Sequence, residues 1–215
     1  MLPLRTGALR HIAVLGAHCD DVPIGAGGTL LTLCRQNPGV RVSALVLTGG
    51  DGPRRAEEEA ALASFCPEAQ VELTVLDLPD GRIPAQWERT KEAVEEFRAG
   101  IEPDVVFCPV THDAHQDHRT LAQLVTTTFR DHLVLGYEII KWDSDLAQPN
   151  AFFPLADAVA REKSTLLHKH YPSQATRDWF DEETFLGLAR IRGVQCRSRY
   201  AEGFFLTKLV ISSEG

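Results

Sequence analysis

Short apolar runs alternate with stretches of helical periodicity along most of this 215-residue chain. This alternation constrains the fold strongly, because strands joined through helices form right-handed units in which the strands are parallel. The first and fourth runs are almost continuously apolar, as expected for strands covered on both faces. The sequence therefore predicts a single α/β domain over residues 1–215, with a mostly parallel, twisted sheet flanked by helices. The runs that predict strands are His11–Gly16, Val40–Thr48, Val71–Leu76, Asp104–Val110 and Leu133–Ile140.

Helical periodicity between and after these runs predicts the connecting helices. In the segment Arg54–Phe65, the three glutamates at 57–59 are assigned to the solvent side. A closing strand is predicted near Phe204–Ile211. The full set of predicted helices is Thr29–Gln36, Arg54–Phe65, Ala85–Gly100, Leu121–Phe129, Asp157–His168 and Glu182–Arg192.

Polar side chains collect at the ends of the first four predicted strands. In open parallel sheets, ligands bind outside the carboxyl ends of the strands. We therefore expect these groups to meet at one edge of the sheet, although they are far apart in the sequence. The groups are His18, Asp20 and Asp21 after the first strand, Thr48, Gly50 and Asp51 after the second, Asp77 and Asp80 after the third, and His112, His115, Asp117 and His118 after the fourth.

The composition excludes several classes of protein. The net charge is −8, and no dense run of lysine and arginine offsets it, which argues against nucleic-acid or anionic-membrane partners. No apolar stretch approaches the roughly 18 residues that cross a bilayer, and the first ten residues carry too short an apolar run for a secretory signal. The five cysteines are scattered, which indicates reduced thiols. We therefore expect a cytoplasmic protein.

The first and fourth strand-end groups contain the residue types of a catalytic metal site. Such a site typically takes three nitrogen or oxygen ligands and leaves a position open for water. The candidate ligands are His18, Asp21 and His118. Asp20 is adjacent to a ligand and is the candidate general base. Zinc is the expected ion, although two histidines and one carboxylate also suit iron, cobalt or manganese.

His115 and Asp117 are the further candidates for a part in the chemistry. His115 precedes His118 by three residues, so at the start of a helix both side chains face one way. One can bind metal while the other faces the scissile carbonyl and stabilises the oxyanion or protonates the leaving amine. Asp117 can hold a histidine ring in the required tautomer. Two alternatives remain open: an isolated His-x-Asp-Asp loop is often only a turn or a helix cap, and Cys19 is a softer potential ligand.

Two segments carry a resemblance to a known family. AHCDDVPIGAGGTL at 17–30 and HQDHRTL at 115–121 resemble the signatures of the PIG-L/LmbE-like zinc-dependent N-acetylglucosaminyl deacetylases, which are AHPDDE before a glycine-rich helix start and HPDH or HxDH. LTGGDG at 47–52 matches the place of a glycine-rich loop, and HYPSQ and YAEGF add support. The resemblance implies a Rossmann-like fold and zinc-dependent hydrolysis of an N-acyl group.

The resemblance also implies roles for individual residues. In that family the first histidine, the second aspartate of the DD pair and the last histidine of HxDH bind zinc, while the first aspartate is the base. His115 takes an oxyanion or acid role by the same comparison. The matching ligands and base are His18, Asp21, His118 and Asp20, the set already reached from their chemistry.

Two positions depart from the family pattern. Cys19 replaces the usual proline, and Val22 replaces the glutamate that follows the DD pair. No proposed ligand or base is lost by these changes. The missing carboxylate at 22 leaves open any contact that the glutamate makes, and so leaves the substrate open.

Four residues are candidates for substrate contacts. Arg54 and Arg55 open the helix after the second strand and can bind a phosphate or carboxylate, although a solvated helix start is an equal alternative. His170 and Gln174 lie in the HYPSQ segment and can approach the site from the C-terminal half. The three tryptophans, Trp87, Trp142 and Trp179, are expected to pack in the core or on the surface, with sugar stacking as the alternative.

We therefore predict a metal-dependent N-deacetylase that removes an acetyl or similar acyl group from an amino-sugar derivative or related small amide. A homo-oligomer is compatible with the sequence. The first rival is a Rossmann-type nucleotide- or cofactor-binding protein, but Gly25, Gly27 and Gly28 do not fit the GxGxxG fingerprint and are expected to pack the first helix against the sheet. The second rival is an inactive family member, because of Val22.

Overall fold

A seven-stranded sheet runs through the part of the chain that the computed structural model describes, residues 7–210. Residues 1–6 and 211–215 lie outside it, including most of the N-terminal segment considered above and Ile211 of the predicted closing strand. The strands are β1 (His11–Gly16), β2 (Arg41–Val46), β3 (Gln70–Val75), β4 (Val105–Pro109), β5 (Val134–Tyr137), β6 (Ala151–Leu155) and β7 (Tyr200–Leu206).

Six α-helices and two short 3₁₀ turns connect these strands within the described residues. The helices are α1 (Asp21–Gln36), α2 (Pro53–Phe65), α3 (Trp87–Ala99), α4 (Gln116–Thr128), α5 (Asp157–His170) and α6 (Glu182–Cys196). The 3₁₀ turns are Ile83–Gln86, which leads into α3, and Pro172–Gln174, which follows α5.

The strand order is β3-β2-β1-β4-β5-β7-β6. The first five strands pair in parallel, and β7 pairs antiparallel with both β5 and β6. The predicted α/β class with a mostly parallel sheet is therefore confirmed. Strand β6 was not predicted, because its sequence AFFPL is short and contains Pro154, a residue that sheets tolerate at an edge strand such as this one.

Helix α1 begins at Asp21, well before the predicted start at Thr29. Pro23 and the three glycines conceal it in the sequence, because glycine and proline usually weaken a helix. The structure gives the reason for two of them. A Cβ atom at Gly25 would overlap the ring of Tyr137, and one at Gly28 would lie 2.6 Å from Leu155 Cδ1. The expectation that these glycines pack the helix against the sheet is confirmed for Gly25 and Gly28, whereas Gly27 packs against Phe65 of α2.

Helix α2 places one glutamate differently from the prediction. Glu57 and Glu59 lie at or near the solvent side, but Glu58 has no exposed surface. The assignment of Glu58 to the wet side is therefore wrong. Its carboxylate accepts hydrogen bonds from partners in other segments, which compensates for its removal from water.

Apolar side chains fill both faces of the sheet. One cluster contains Ile12, Val14 and the apolar faces of α1 and α2, and the other contains Ala13, Leu15 and the inner side of α4. Strand β1 contributes to both clusters because successive side chains of a strand point to opposite faces. No helix among residues 7–210 is both long enough and apolar enough to cross a membrane.

Candidate metal centre

The strand order reverses beside β1, which pairs with β2 on one side and β4 on the other. At such a point the connections leave the sheet toward opposite faces, and a crevice opens outside the carboxyl ends of the strands. A cavity of about 360 Å³ lies there. Its lining includes the polar residues His18, Asp20, Asp21, Thr48, Asp80, His115 and His118. Residues from all four strand-end groups thus meet at the cavity, whereas Gly50, Asp51, Asp77, His112 and Asp117 lie outside its lining. Asp117 still contacts His18.

Two imidazole nitrogens and one carboxylate converge at the base of this cavity. His18 Nδ1 lies 3.1 Å from His118 Nε2, and Asp21 Oδ1 lies 3.4 Å from the same nitrogen. His18 Nδ1 lies 3.6 Å from the other carboxylate oxygen, Asp21 Oδ2. Ligands about 2.0–2.2 Å from a tetrahedral ion are about 3.3–3.6 Å apart. The separations of the three groups are therefore close to those of ligands on a single tetrahedral ion, with a different Asp21 oxygen nearest each histidine.

His18 and His118 each have a second ring nitrogen, called the outer nitrogen here, which points away from the converging groups and faces a carboxylate. His118 Nδ1 lies 2.9 Å from Asp113 Oδ2, while His18 Nε2 lies 3.0 Å from Asp80 Oδ1 and 3.2 Å from Asp117 Oδ2. A carboxylate accepts hydrogen bonds, so each outer nitrogen carries the proton. In the neutral rings the lone pairs of His18 Nδ1 and His118 Nε2 then face the same point, as metal-binding imidazoles require.

His115 has the opposite arrangement. It caps α4, and its Nδ1 accepts the backbone N–H of Asp117 at 3.3 Å. The proton of the neutral ring is therefore on Nε2, which makes His115 a hydrogen-bond donor toward the cavity. Ligand atoms of His18, His115 and His118 all lie within 4.8 Å of one another, as do those of a second group formed by His18, Asp80, His115 and Asp117. The tautomer of His115 disfavours both of these sets as ligand sets.

The pKa values of these clustered side chains reflect two opposing effects, which are burial and the charges of close partners. Burial lowers the pKa of His118, but the carboxylates of Asp21 and Asp113 outweigh it and raise that pKa to about 9. Burial raises the pKa of Asp21, but His118 and His18 outweigh it and hold that pKa well below its usual range. Burial and the charges of His118 and His18 lower the pKa of His115. The cluster thus attracts a positive charge, which a cation can supply in place of protons.

Asp20 is adjacent to Asp21 but has different surroundings. Its Oδ2 accepts a hydrogen bond from Arg54 Nη2 at 2.8 Å, and Arg54 also donates to the Cys19 carbonyl. Burial raises the pKa of Asp20 to about 7, and Arg54 opposes the shift. The backbone of Asp20 has φ 108° and ψ −24°, a left-handed conformation that costs a non-glycine residue about 1–3 kcal/mol.

Asp21 is fixed separately from its neighbour. Its Oδ2 accepts the backbone N–H groups of Ala17 at 2.8 Å and His18 at 2.9 Å. These bonds orient the carboxylate and leave Oδ1 facing His118. The two consecutive carboxylates are therefore held separately. Backbone N–H groups of the loop hold Asp21, and Arg54 of α2 holds Asp20.

The two positions that depart from the family pattern are both buried. Burial raises the pKa of the Cys19 thiol to about 12, and its Sγ contacts the Thr48 carbonyl. A protonated thiol is a poor metal ligand, which argues against Cys19 as the alternative ligand. Val22 packs in the core cluster and does not line the cavity. The side chain at position 22 is thus directed away from the site.

The structure brings two of the four candidate substrate residues to the cavity. Arg54 and Gln174 line it, although Arg54 is already bound to Asp20. Arg55 is exposed and pairs with Glu59, and His170 is not among the lining residues. Neither Arg55 nor His170 is therefore positioned to contact a ligand in this cavity.

Several residues of the site were not found from the sequence. Asp113 supports His118 and is itself bound by Lys141 at 2.9 Å. Its position inside the segment THDAHQDH was the available signal. For Glu58, the signal was its place in a helical stripe with Ala61, Leu62 and Phe65. Further lining residues come from the C-terminal half. Trp142 and Trp179 were considered only as an alternative for sugar stacking, and nothing in the sequence marked Lys141, Asp143 and Arg177.

Comparisons with known proteins identify the family of this chain. Residues 13–129 match the PIG-L family, whose description is GlcNAc-PI de-N-acetylase. The chain is 30% identical over 174 residues to the uncharacterized deacetylase YaiS of Escherichia coli K12, which covers 75% of this chain and 90% of that protein.

Solved structures show the same fold at lower identity. The N,N'-diacetylchitobiose deacetylase from Pyrococcus horikoshii has a TM-score of 0.71 at 22% identity, covering 93% of this chain and 84% of that one. GalB, the 4-carboxy-2-hydroxymuconate hydratase from Pseudomonas putida KT2440, also has a TM-score of 0.71, at 18% identity, covering 95% of this chain and 99% of that one. The family match spans more than half of the chain and includes both histidine segments. This protein belongs to the PIG-L family.

Proposed function

We propose that this protein is a metal-dependent N-deacetylase that removes an acetyl or similar small acyl group from an amino-sugar derivative. Membership of a family described as a de-N-acetylase supports the reaction. The observation that carries the proposal is the pair of imidazole nitrogens of His18 and His118, 3.1 Å apart, in a cavity that the Asp20 carboxylate also lines, bound to Arg54. The fold alone would not suffice, because it is shared by a deacetylase and by a hydratase.

The donor set suits a divalent transition metal. His18 Nδ1, His118 Nε2 and Asp21 Oδ1 would hold the ion, and their spacing and free lone pairs support this assignment. Zinc accepts two nitrogens and one oxygen with a position left open. Iron, cobalt and manganese accept the same donors, so the choice among these ions is for experiment.

Proton transfer and carbonyl hydrogen bonding are assigned to residues of the chain itself. When bound, a divalent ion supplies a Lewis acid that makes water nucleophilic near neutral pH and polarises an amide carbonyl. Asp20 accepts a proton from the attacking water, and a base with a pKa of about 7 suits that task. His115 Nε2–H donates to the carbonyl oxygen as negative charge develops there. The proton taken by Asp20 then passes to the amide nitrogen, the C–N bond breaks, and the free amine and the carboxylic acid are released.

The residues after β5 that line the cavity form its outer wall, and their side chains favour a sugar as the substrate. Trp142 has 63% of its surface exposed and makes an edge-to-face contact with Trp179, with ring centroids 6.1 Å apart. Such an aromatic surface can cover the apolar face of a sugar ring, and Gln174 and Asp143 offer polar partners beside it. Trp142 and Trp179 thus favour the stacking alternative, whereas Trp87 lies outside the cavity lining.

Release of acetate tests the proposal directly. We expect the purified protein to release acetate from N,N'-diacetylchitobiose or from another member of a panel of N-acetylated sugars and glycosides. Chelation should abolish this activity, and added Zn²⁺, Co²⁺, Mn²⁺ or Fe²⁺ should restore it. An absence of stoichiometric metal, or acetate release that chelator does not affect, would contradict the proposal.

The rival cofactor-binding function predicts a different response. Asp20 and Asp21 stand at the start of α1, where a dinucleotide pyrophosphate would otherwise bind, so their charge disfavours that ligand. Thermal unfolding with NAD, S-adenosylmethionine and nucleotides separates the two functions. Stabilisation by a nucleotide without any response to chelator would favour the rival.

A further inference from the structure

Glu58 is a fully buried carboxyl group beneath the loop that carries Asp20. It has no exposed surface. Its Oε2 accepts the backbone N–H of Asp20 at 2.9 Å and the hydroxyl of Tyr171 at 2.6 Å. Among residues 7–210 its Oε1 has no hydrogen-bond partner. Through this one oxygen, Glu58 of α2 connects Asp20, in the loop after β1, with Tyr171, at the end of α5. These three segments are distant in the sequence.

The backbone of Asp20 needs such an acceptor. A buried N–H group without a partner is costly, and the left-handed conformation at φ 108° is one that non-glycine residues rarely adopt. Surrounding contacts must hold such a residue in place. The bond to Glu58 is the contact made by the Asp20 N–H, so it fixes the peptide from which the Asp20 carboxylate projects.

The neighbouring Asp21 does not depend on Glu58. The backbone N–H groups of Ala17 and His18 hold its carboxylate. A change at Glu58 is therefore expected to move Asp20 while the metal-facing atoms stay in place. This difference separates a positioning effect from a general loss of structure.

We propose that Glu58 is a positioning residue that holds Asp20 in its working orientation, with Tyr171 fixing Glu58 from the C-terminal half. The inference rests on the proposed function, in which Asp20 is the base. Arg54 supplies the second constraint, because it binds the Asp20 carboxylate at 2.8 Å and Ser173 Oγ at 2.6 Å. Both constraints on Asp20 thus originate in α2 and are secured by the segment that follows α5.

Glu202 provides a matched control. It is also a buried carboxylate that accepts backbone N–H groups of α1, those of Gly28 at 2.8 Å and Thr29 at 2.7 Å. It contacts Lys163 and does not line the cavity. Replacement of Glu202 should lower stability without a specific effect on turnover.

The test compares Glu58→Ala, Glu58→Gln and Glu202→Ala with N,N'-diacetylchitobiose as the probe. We expect Glu58→Ala to lower kcat by about 10- to 100-fold, because a misplaced reacting group is costly, with KM and bound metal close to those of the wild type. Glu58→Gln should restore most of kcat, since its amide oxygen can accept both hydrogen bonds. Glu202→Ala should keep the wild-type kcat.

Hydrogen exchange at the Asp20 amide supplies a readout besides activity. It should quicken in Glu58→Ala and remain slow in Glu58→Gln. If Glu58→Ala does not fold, Tyr171→Phe replaces it, and we expect a smaller fall in kcat at constant KM together with faster exchange at Asp20.

Several outcomes would overturn the inference. They are a wild-type kcat in Glu58→Ala or, where that variant is unfolded, unchanged kcat and exchange in Tyr171→Phe. A Glu58→Gln variant as impaired as Glu58→Ala would also overturn it, and so would a matching loss of kcat in Glu202→Ala. Failure of the wild type to release acetate from any amide would instead contradict the proposed function, and the inference with it.

Discussion

The two halves of the sheet contribute differently to the site. The parallel part, β1 to β5, supplies the proposed ligands His18, Asp21 and His118 from the segments that follow β1 and β4. The part after β5, which includes the antiparallel pair β6 and β7, supplies the outer wall, with Gln174 and Trp179 among its members. The first half therefore determines the chemistry, and the second half determines what can reach it.

Topology explains why the halves differ. Parallel strands bring their carboxyl ends to one edge, so residues far apart in sequence meet without any special loop. Antiparallel strands have no such common end, and the wall is built from the loop after β5 and the segment after α5. The comparison predicts that variants in the first half change metal binding or kcat, while variants in the wall change KM.

The largest expected effect is the loss of the base. Asp20→Asn should lower kcat by about 10²–10⁴-fold, the usual contribution of a positioned general base, while bound metal is unchanged. The measurement is steady-state kinetics with metal analysis of the same preparation. Asp51→Asn is the control, because Asp51 is exposed and does not line the cavity. An Asp20→Asn variant with near wild-type kcat would exclude Asp20 as the general base.

The next effect concerns the support of a ligand. Asp113→Ala should weaken metal binding by about 10–100-fold, because the partner of a metal-binding histidine fixes its tautomer. Competition with a chromogenic chelator measures this affinity. Asp145→Ala is the control, since Asp145 binds Lys141 and the Ala114 N–H but not His118. Equal affinities in the two variants would contradict the role of Asp113.

Metal affinity should also rise with pH. Without metal, close carboxylates raise the pKa of His118 to about 9 and that of His18 well above its usual value. Protons therefore compete with the metal for these nitrogens at neutral pH. From about pH 6 to about pH 8 the metal affinity should rise as these protons are lost. Calorimetry in buffers of different ionisation enthalpy counts the protons released, and a flat dependence would contradict the assignment.

The smallest effect is expected in the wall. Gln174→Ala should raise KM by about two- to tenfold and leave kcat unchanged, because a neutral hydrogen bond contributes about 0.5–1.5 kcal/mol in ground and transition states alike. Arg55→Ala should change neither constant, since Arg55 is exposed and pairs with Glu59. A fall in kcat for Gln174→Ala would contradict the division between the halves.

The strands and polar groups of the parallel half could be predicted from the sequence because each pattern lies within a single segment. The run His11–Gly16 is almost continuously apolar and forms β1 with the predicted bounds. The polar groups after β1 and β4 could be brought together by a topological rule alone. Helix α4 begins at Gln116, earlier than the apolar pattern indicated, because its first turn carries the polar side chains of the site.

The remaining features depend on contacts between distant segments. Glu58 looks like a solvent-facing glutamate until Asp20 and Tyr171 are placed against it. Strand β6 has no alternating pattern and depends on its pairing with β7. Trp142 and Trp179 line the cavity because the loop after β5 meets the segment after α5 there. Such features follow from tertiary packing and have no signature within a single segment.

The metal content of two variants at neighbouring positions tests the central claim most directly. Asp20 and Asp21 are consecutive, both are buried, and only Asp21 faces His118 Nε2, at 3.4 Å. Metal analysis of purified Asp20→Ala and Asp21→Ala should find a stoichiometric ion in the first variant and little or none in the second. Loss of metal from Asp20→Ala with retention in Asp21→Ala, or equal metal in both, would contradict the assignment of ligand and base.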